Sequence, residues 1–130
     1  MGKIEKFEDL EVWKEARQLN KEIYDYTKSN SFSKDFDLVR QIRRSSGSIM
    51  DNIAEGFERD GKREFIQFLS ISKGSCGEVR SQLYRAFDQD YITSENFKHL
   101  SELSIKISRK LYNFMNYLRT SDIKGTKFKE

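Results

Sequence analysis

Proline is absent from this chain of 130 residues, and cysteine and histidine occur once each. Because proline interrupts helices and is frequent in turns, its absence favours long, uninterrupted helices. The lone cysteine, Cys76, excludes an intramolecular disulfide. The lone histidine, His99, excludes the di-metal site of some helical bundles within one chain, because that site needs two Glu-x-x-His pairs.

Long apolar runs are also missing. No segment approaches the roughly 20 apolar residues that cross a membrane as a helix. The first residues, MGKIEKFEDLE, lack the apolar centre that a signal peptide needs. We therefore expect a cytoplasmic protein without a membrane partner.

The composition is that of a folded domain. Charged residues make up 35% of the chain, apolar residues 36% and aromatic residues 13%, which is more apolar than a disordered segment. A chain of 130 residues builds one domain rather than two. We expect this domain at residues 1–120 and a frayed tail at 121–130. The net charge of +3 allows an anionic partner without requiring one.

Apolar residues recur at intervals of three and four in four segments, which predicts four helices. The predicted helices cover about residues 9–29, 38–57, 62–88 and 94–118. Their candidate N-caps are Asp9, then Asp35 or Asp37, and, for the last helix, Thr93 or Ser94. Because short connections make consecutive helices antiparallel, the predicted fold class is all-α, an antiparallel up-down-up-down four-helix bundle.

Each predicted helix has an inward face. For the first helix it is Trp13, Ala16, Asn20, Ile23 and Thr27; for the second, Leu38, Ile42, Ile49, Ile53 and Phe57. In the third and fourth helices the inward residues recur at alternating intervals of four and three residues. This spacing is typical of helices that cross at a shallow angle. Their inward residues are Phe65, Leu69, Ser72, Cys76, Val79, Leu83 and Ala86, then Phe97, Leu100, Ser104, Ile107, Leu111, Phe114 and Leu118.

Residues 56–62, GFERDGK, satisfy the spacing of a phosphate-binding loop. Arg63 stands where that loop needs a Ser or Thr for magnesium, and a helix rather than a strand precedes the segment. These departures argue against nucleotide hydrolysis. We expect instead that Gly56 ends the second helix and that Gly61 forms a turn, each using the tolerance of glycine for positive φ.

Residues for other catalytic chemistry are few. Asp51, Glu55 and Glu58 share part of a helix face, which indicates a solvated or ion-paired surface more than a metal site. Cys76 lies at an inward position and is interpreted as a small buried residue rather than a nucleophile. We find no Ser-His or Cys-His motif, so we expect a protein that is not an enzyme and has no cofactor or bound metal.

Small residues concentrate in two helices, at Ser45, Ser46, Gly47 and Ser48 and again at Ser70, Ser72, Gly74, Ser75, Cys76 and Gly77. They predict a close approach of the second and third helices, with hydroxyl groups bonding to backbone carbonyls. Because glycine inside a helix costs about 1 kcal/mol relative to alanine, close packing is a plausible reason for keeping it. Approach of a ligand between the helices is the alternative.

Basic residues form two sequence clusters, one on a flank of the second helix and one around the turn that follows it. The candidate nucleic-acid-binding residues are Arg40, Arg43, Arg44, Arg59, Lys62 and Arg63. Arginine guanidinium groups match the geometry of phosphate and would give a salt-sensitive surface for RNA or DNA. Acidic residues lie among them, so a solvated surface or ion pairs between subunits are the alternative role.

Several large apolar residues lie outside the four inward faces. They are Leu10, Leu19, Tyr24, Tyr26, Val39, Ile66, Phe68, Ile71, Tyr84 and Phe87. Such a surplus indicates an interface between subunits, and a wide apolar face turned towards the core of one subunit is the alternative.

Four segments, taken in order, resemble a known family. They are FEDLEVWKEA (7–16), QIRRSSGSIMDNIAEGF (41–57), EFIQFLSISKGSCGEVRSQLYRA (64–86) and DYI (90–92). The family comprises the four-helix bundle proteins encoded within intervening sequences of bacterial 23S rRNA genes, whose fold is similar to that of the accessory variability determinant proteins of diversity-generating retroelements.

The resemblance implies a ring-like homopentamer without catalytic activity. From the retroelement relatives it implies binding to nucleic acid and to a reverse transcriptase through basic surfaces. The leading hypothesis is therefore a non-catalytic, homo-oligomeric accessory protein that binds RNA or DNA. The alternative is a scaffold for protein partners that does not bind nucleic acid.

Overall fold

Residues 4–121, the part of the chain that the computed structural model describes, contain four α-helices. Their bounds are Glu11–Thr27 (α1), Phe36–Glu58 (α2), Lys62–Asp88 (α3) and Ser94–Thr120 (α4), with short 3-10 turns at Phe7–Asp9 and Phe32–Lys34. The expected frayed tail falls, apart from Ser121, outside the described residues. Along residues 4–121, no helix combines the length and the apolar character that crossing a membrane requires.

Hydrogen bonds between the helices fix their directions. Ser72 Oγ donates to the carbonyl of Ile49, whereas Arg85, later in α3, donates to Gln41, earlier in α2. The contacts of α1 with α2, of α3 with α4 and of α1 with α4 run in opposite directions in the same way. The described residues therefore form an antiparallel, up-down-up-down four-helix bundle, which confirms the predicted arrangement.

The core lies along the centre of the bundle and matches most of the predicted inward faces. All seven inward residues of α3 and all five of α2 are buried, and in α4 only Phe97 is half-buried rather than buried. In α1 the prediction was partly wrong, because Trp13 and Asn20 are half-buried. Val12 and Leu19 take the corresponding core positions.

The start of α1 also differs from the prediction. Leu10, not Asp9, precedes the first helical residue, and its side chain is completely buried. Asp9 belongs to the preceding 3-10 turn. The helix begins without a side-chain cap. Burial of the apolar Leu10 side chain, rather than a capping hydrogen bond, fixes the chain where it enters α1.

Two predicted caps are confirmed. The carboxylate of Asp35 accepts a hydrogen bond from the backbone N–H of Leu38 at 3.1 Å, and the hydroxyl of Thr93 accepts one from that of Asn96 at 3.1 Å. Asp35 also accepts a hydrogen bond at 3.0 Å from the hydroxyl of Tyr91. Because Tyr91 follows α3, Asp35 joins the start of α2 to the connection between α3 and α4.

Gly56 does not end α2, as the sequence had suggested, because the helix continues to Glu58. A Cβ atom at Gly56 would lie 2.6 Å from Cβ of Phe68 and 2.9 Å from Cδ1 of Phe65. Glycine is needed here because α3 comes too close for a side chain. Gly61 does precede α3 in the turn, but its φ of 177° is extended backbone that any residue adopts, so no positive φ is involved.

The helices α2 and α3 approach closely, as predicted, where both carry small residues, and hydroxyl groups join them there. Ser72 Oγ donates to the carbonyl of Ile49 at 2.8 Å, and Ser75 Oγ donates to Ser48 Oγ at 3.1 Å. Gly74 and Gly77 are not part of this contact, because a Cβ atom at either position would meet nothing within 4 Å. The close approach of α2 and α3 therefore depends on serines and on Gly56.

The apolar surplus is smaller than the sequence suggested. Leu10 and Leu19 are core residues, and Tyr26, Val39 and Ile66 pack against the core. Tyr24, Ile71, Tyr84 and Phe87 remain exposed. Phe36, which the sequence analysis did not single out, is 77% exposed.

Candidate nucleic-acid interface

The six predicted basic residues fall into two groups on different parts of the bundle. Arg40, Arg43 and Arg44 lie in the first half of α2, whereas Arg59, Lys62 and Arg63 surround the connection between α2 and α3. Fourteen helical residues, 45–58, separate Arg44 from Arg59, which corresponds to roughly 21 Å along the helix axis. The structure therefore brings each group together but does not combine the two into one cluster.

Two residues of the group at the connection, Arg59 and Lys62, are held by contacts within the chain, whereas Arg63 is exposed. Arg59 Nη2 lies 2.7 Å from Glu55 Oε2 and Arg59 Nη1 lies 3.6 Å from Glu64 Oε2. The hydrogen bond and the charge of Glu55 raise the pKa of Arg59. Lys62 Nζ donates to the backbone carbonyl of Ser121 at 2.5 Å. The charge of Arg59 is thus balanced by two carboxylates, and Lys62 ties the connection to the end of α4.

Arg43 is held against α1 by two contacts. Its Nε donates to Thr27 Oγ1 at 2.9 Å, and its guanidinium carbon lies 4.4 Å from the centroid of the Tyr24 ring. Thr27 Oγ1 in turn donates to the backbone carbonyl of Tyr24 at 2.9 Å. These contacts place a guanidinium group at a defined position between α1 and α2.

Arg40 and Arg44 are exposed and lie one helical turn apart on α2. Among residues 4–121, no carboxylate lies within 4.0 Å of the charged nitrogens of Arg40, Arg43 or Arg44. In this respect the group on α2 differs from Arg59. Three positive charges are concentrated here without an ion-pair partner in the described chain.

An open cleft runs between α1 and α2 beside these arginines. Its lining residues are Tyr24, Phe36, Val39, Arg40, Arg43 and Arg44. We call Arg40, Arg43 and Arg44, together with the rings of Tyr24 and Phe36, the α2 arginine face. The cleft continues along α2 towards Asp51 and Glu55, so it is basic and aromatic at one end and acidic at the other.

The aromatic residues of this face were missed or misinterpreted from the sequence. Tyr24 was assigned to a general apolar surplus, and Phe36 was not considered. A signal for Phe36 was present, because it lies two residues before the buried Leu38 and hence about 200° away around the helix. The same spacing rule places Phe36 one turn before Arg40, on the same exposed side of α2.

A second depression with basic and aromatic residues lies between α3 and α4. It is lined by Lys73, Ser108, Arg109, Tyr112 and Asn113. No pattern in the sequence pointed to it. It has two cationic side chains rather than three, and no guanidinium group held as Arg43 is in the α2 arginine face.

Cys76 and His99 make contacts that explain their places in the bundle. Cys76 is completely buried, and burial raises the pKa of its thiol to about 12. His99 Nε2 lies 2.7 Å from Glu22 Oε1 and joins α4 to α1 at the surface. In the part of the chain that the structure describes, no three His, Cys, Asp or Glu side chains come together as a metal would require.

Comparison with known proteins places the chain in a family. The family model described as "23S rRNA-intervening sequence protein" matches residues 8–113, which include most of all four helices. The chain belongs to the family of 23S rRNA-intervening sequence proteins. This confirms the resemblance that the sequence segments indicated.

A solved structure supports the same assignment. It is the crystal structure of a protein of unknown function from the S23 ribosomal protein family of Bacteroides thetaiotaomicron VPI-5482. The two chains are 26% identical with a TM-score of 0.75, and the match covers 80% of this chain and 97% of the other. Among curated proteins, none is similar enough to this intervening-sequence protein to count as a relative.

Proposed function

We propose that this intervening-sequence protein is a non-catalytic accessory protein that binds RNA or DNA with the α2 arginine face. The observation that carries the proposal is the group of three arginines without an ion-pair partner among residues 4–121, beside a cleft with exposed rings. An arginine paired with a carboxylate has its charge balanced within the fold. None of these three has such a partner, and Arg40 and Arg44 are exposed, so their charge is available to an anion.

The chemistry of the face suits a phosphate backbone. Guanidinium groups bind phosphate oxygens through paired N–H donors, and each phosphate that is neutralised releases counterions. Arg43 is already held by Thr27 and Tyr24, so it loses less conformational freedom on binding than a free side chain does. Both family names mention ribosomal components, which makes RNA the first ligand to test.

The test is a salt titration of RNA binding, measured by fluorescence anisotropy, with the double variant Arg40→Ala, Arg44→Ala. We expect wild-type affinity to fall steeply with salt, and the variant to bind more weakly with a slope lower by about 1 to 2, because two phosphate contacts are lost. The matched control is Lys21→Ala, Lys98→Ala, which removes two exposed charges from α1 and α4. Equal effects of the two double variants would contradict a localised site.

Self-association is the second candidate function, and the outer side of α3 favours it. Ile71 is 51% exposed, and Gly74 and Gly77 have open space where a side chain would be. Glycine inside a helix costs about 1 kcal/mol relative to alanine, and no contact within residues 4–121 accounts for it at these two positions. A helix of a second subunit that approaches α3 closely would account for the two glycines. We propose that copies of the chain meet on this side and form the homo-oligomeric ring that the family resemblance implies.

Substitution of Gly74 by arginine tests this assembly. Because nothing lies within 4 Å of an added Cβ atom, we expect the subunit to stay folded and the oligomer to dissociate. Molar mass from light scattering measures the outcome, and Asn30→Arg, at an exposed site between α1 and α2, is the control. A wild-type monomer would refute the assembly. If the Gly74→Arg variant forms an unchanged oligomer, the subunits must meet on another surface. The outer side of α3 would then also be excluded as the binding surface of a protein partner such as a reverse transcriptase.

A further inference from the structure

We infer that the α2 arginine face selects unpaired nucleotides, with one base stacked on the ring of Phe36 and the adjoining phosphates bound by Arg40 and Arg44. The inference rests on the proposed function and adds the class of nucleic acid to it. Its occupant is a single strand, RNA or DNA. Four observations support it.

The first observation is the exposure of Phe36. Its side chain is 77% exposed at the first residue of α2, and no aromatic ring of residues 4–121 packs against it. The start of the helix is fixed without it, because Asp35 caps Leu38 and accepts a hydrogen bond from Tyr91. Phe36 is thus a ring on a rigid support with at least one face free.

The second observation is the register of the helix. Phe36, Arg40 and Arg44 follow one another at intervals of four residues and therefore lie along one side of α2. One helical turn advances about 5.4 Å along the axis. This is comparable to the separation of consecutive phosphates in an extended strand. A strand that lies along α2 can place a base on the ring and consecutive phosphates on the two arginines.

The third observation distinguishes Phe36 from Tyr24. The guanidinium group of Arg43 covers one face of the Tyr24 ring, at 4.4 Å from the centroid. Tyr24 therefore serves to hold Arg43, and Phe36 is the ring available for stacking. Arg43, held in this way, is a fixed cation that lines the same cleft as Phe36.

The fourth observation is the acidic limit of the face. Asp51 and Glu55 line the continuation of the cleft, where Glu55 is paired with Arg59, and the carboxylate of Asp37, within the first turn of α2, accepts a hydrogen bond from Gln41 Nε2 at 2.8 Å. A duplex presents many phosphates to a broad surface and would bring some of them close to these carboxylates.

Bases within a duplex are also stacked on both faces, so a ring at the protein surface cannot reach them. A short, flexible single strand avoids both problems.

The experiment compares an unstructured RNA of about 20 nucleotides, longer than the footprint of a typical single-strand binding surface, with the same strand annealed to its complement. For wild-type protein we expect tighter binding of the single strand at equal salt. Phe36→Ala should weaken single-strand binding by about fivefold to a hundredfold, the range of base stacking on an aromatic side chain, and leave duplex binding unchanged. The same-sequence DNA strand is measured in parallel, because stacking on Phe36 accepts either backbone.

Three further variants separate stacking from other effects. Phe36→Tyr keeps the ring and should restore binding, whereas Phe36→Leu keeps an apolar side chain without a ring and should bind as weakly as Phe36→Ala. Tyr112→Ala removes an exposed ring next to Arg109 on α4 and should have no effect. A 2-aminopurine base in the strand should lose fluorescence with wild-type protein and with Phe36→Tyr only, as expected for a base stacked on the ring.

The outcomes distinguish the inference from the proposed function. Binding of single strand and duplex with equal affinity, unchanged by Phe36→Ala but reduced by Arg40→Ala, Arg44→Ala, would overturn the inference and keep the function. Full binding by Phe36→Leu, or an equal loss with Tyr112→Ala, would also overturn it. If the protein binds neither nucleic acid, or the two arginines contribute nothing, the proposed function itself fails.

Discussion

The guanidinium carbon of Arg43 lies 4.4 Å from the centroid of the Tyr24 ring, so a cation of α2 is stacked on an aromatic residue of α1. Thr27, one turn further along α1, accepts a hydrogen bond from Nε of the same arginine at 2.9 Å. The two contacts use one face of the guanidinium group and its Nε, and no hydrogen bond to residues 4–121 involves its Nη atoms. A charged group whose outer donors are free and whose position is fixed is suited to binding an anion.

Thr27→Val tests whether this positioning matters for binding. Valine has nearly the same shape, but it removes the hydroxyl that accepts from Arg43. We expect a loss of roughly 1 to 2 kcal/mol in the free energy of unfolding, because a hydrogen bond to a charged group is broken in a buried place. We also expect RNA affinity to fall severalfold, since Arg43 must then be ordered by the ligand.

Thr120→Val is the matched control for this prediction. The hydroxyl of Thr120 bonds to carbonyls of its own helix at the exposed end of α4. Chemical denaturation measures stability, and fluorescence anisotropy measures affinity. Lower stability of Thr27→Val with unchanged RNA affinity would show that the Arg43 contacts serve only to join α1 and α2.

The contrast between two glycines yields a prediction about stability. A side chain at Gly56 would meet Phe68 and Phe65 at 2.6 and 2.9 Å, whereas a side chain at Gly74 would meet nothing within 4 Å. We expect Gly56→Ala to destabilise the bundle by about 1 to 3 kcal/mol, the usual cost of overpacking. Gly74→Ala should stabilise the separated subunit by up to about 1 kcal/mol, because alanine is the better helix former.

Urea denaturation of the two variants checks this difference, at a protein concentration where both have the same oligomeric state. The pair is well matched, since each change adds one methyl group inside a helix. Gain of stability by Gly56→Ala would mean that α2 and α3 can separate slightly at no cost. The explanation of Gly56 as a close-approach residue would then be wrong.

The sequence predicted α3 better than any other part of the chain, and the reason is physical. Its bounds of 62–88 and all seven inward residues are confirmed, because an uninterrupted pattern of steps of three and four defines both the helix and its buried face. The beginning of α1 could not be predicted in this way. It depends on burial of Leu10 against the rest of the bundle, which no local pattern records.

The candidate site illustrates the same limit. The sequence assigned one candidate function to Arg44 and Arg59, in two separate clusters, and a continuous α2 places them roughly 21 Å apart. Whether an arginine is free depends on its neighbours in space. Arg59 is paired with Glu55 and Glu64, while Arg43 finds its contacts on α1. Exposure of Phe36, in contrast, follows from its spacing to Leu38 and was available from the sequence.

Cys76 gives a prediction about pH. Burial raises the pKa of its thiol to about 12, above the ordinary value of about 9, because the charged thiolate is disfavoured in the core. The folded chain therefore keeps the proton of Cys76 over a pH range in which the unfolded chain loses it. The unfolded state binds fewer protons, so stability is fully present below about pH 9 and declines as the pH rises towards 12.

Cys76→Ala isolates this contribution, because the other titrating groups, including Tyr91 beside Asp35, are common to both proteins. The free energy of unfolding is measured for both by urea denaturation at several values between pH 8 and pH 10.5. We expect the wild type to lose stability faster above pH 9, by up to about 1.4 kcal/mol per pH unit relative to the variant.

At pH 8 the native thiol should also react with a thiol reagent only as fast as the bundle opens, since the core excludes water from it. Parallel pH profiles of the two proteins, or rapid modification of the native thiol, would show that Cys76 is reached by solvent and that its place in the core is less protected than its burial implies.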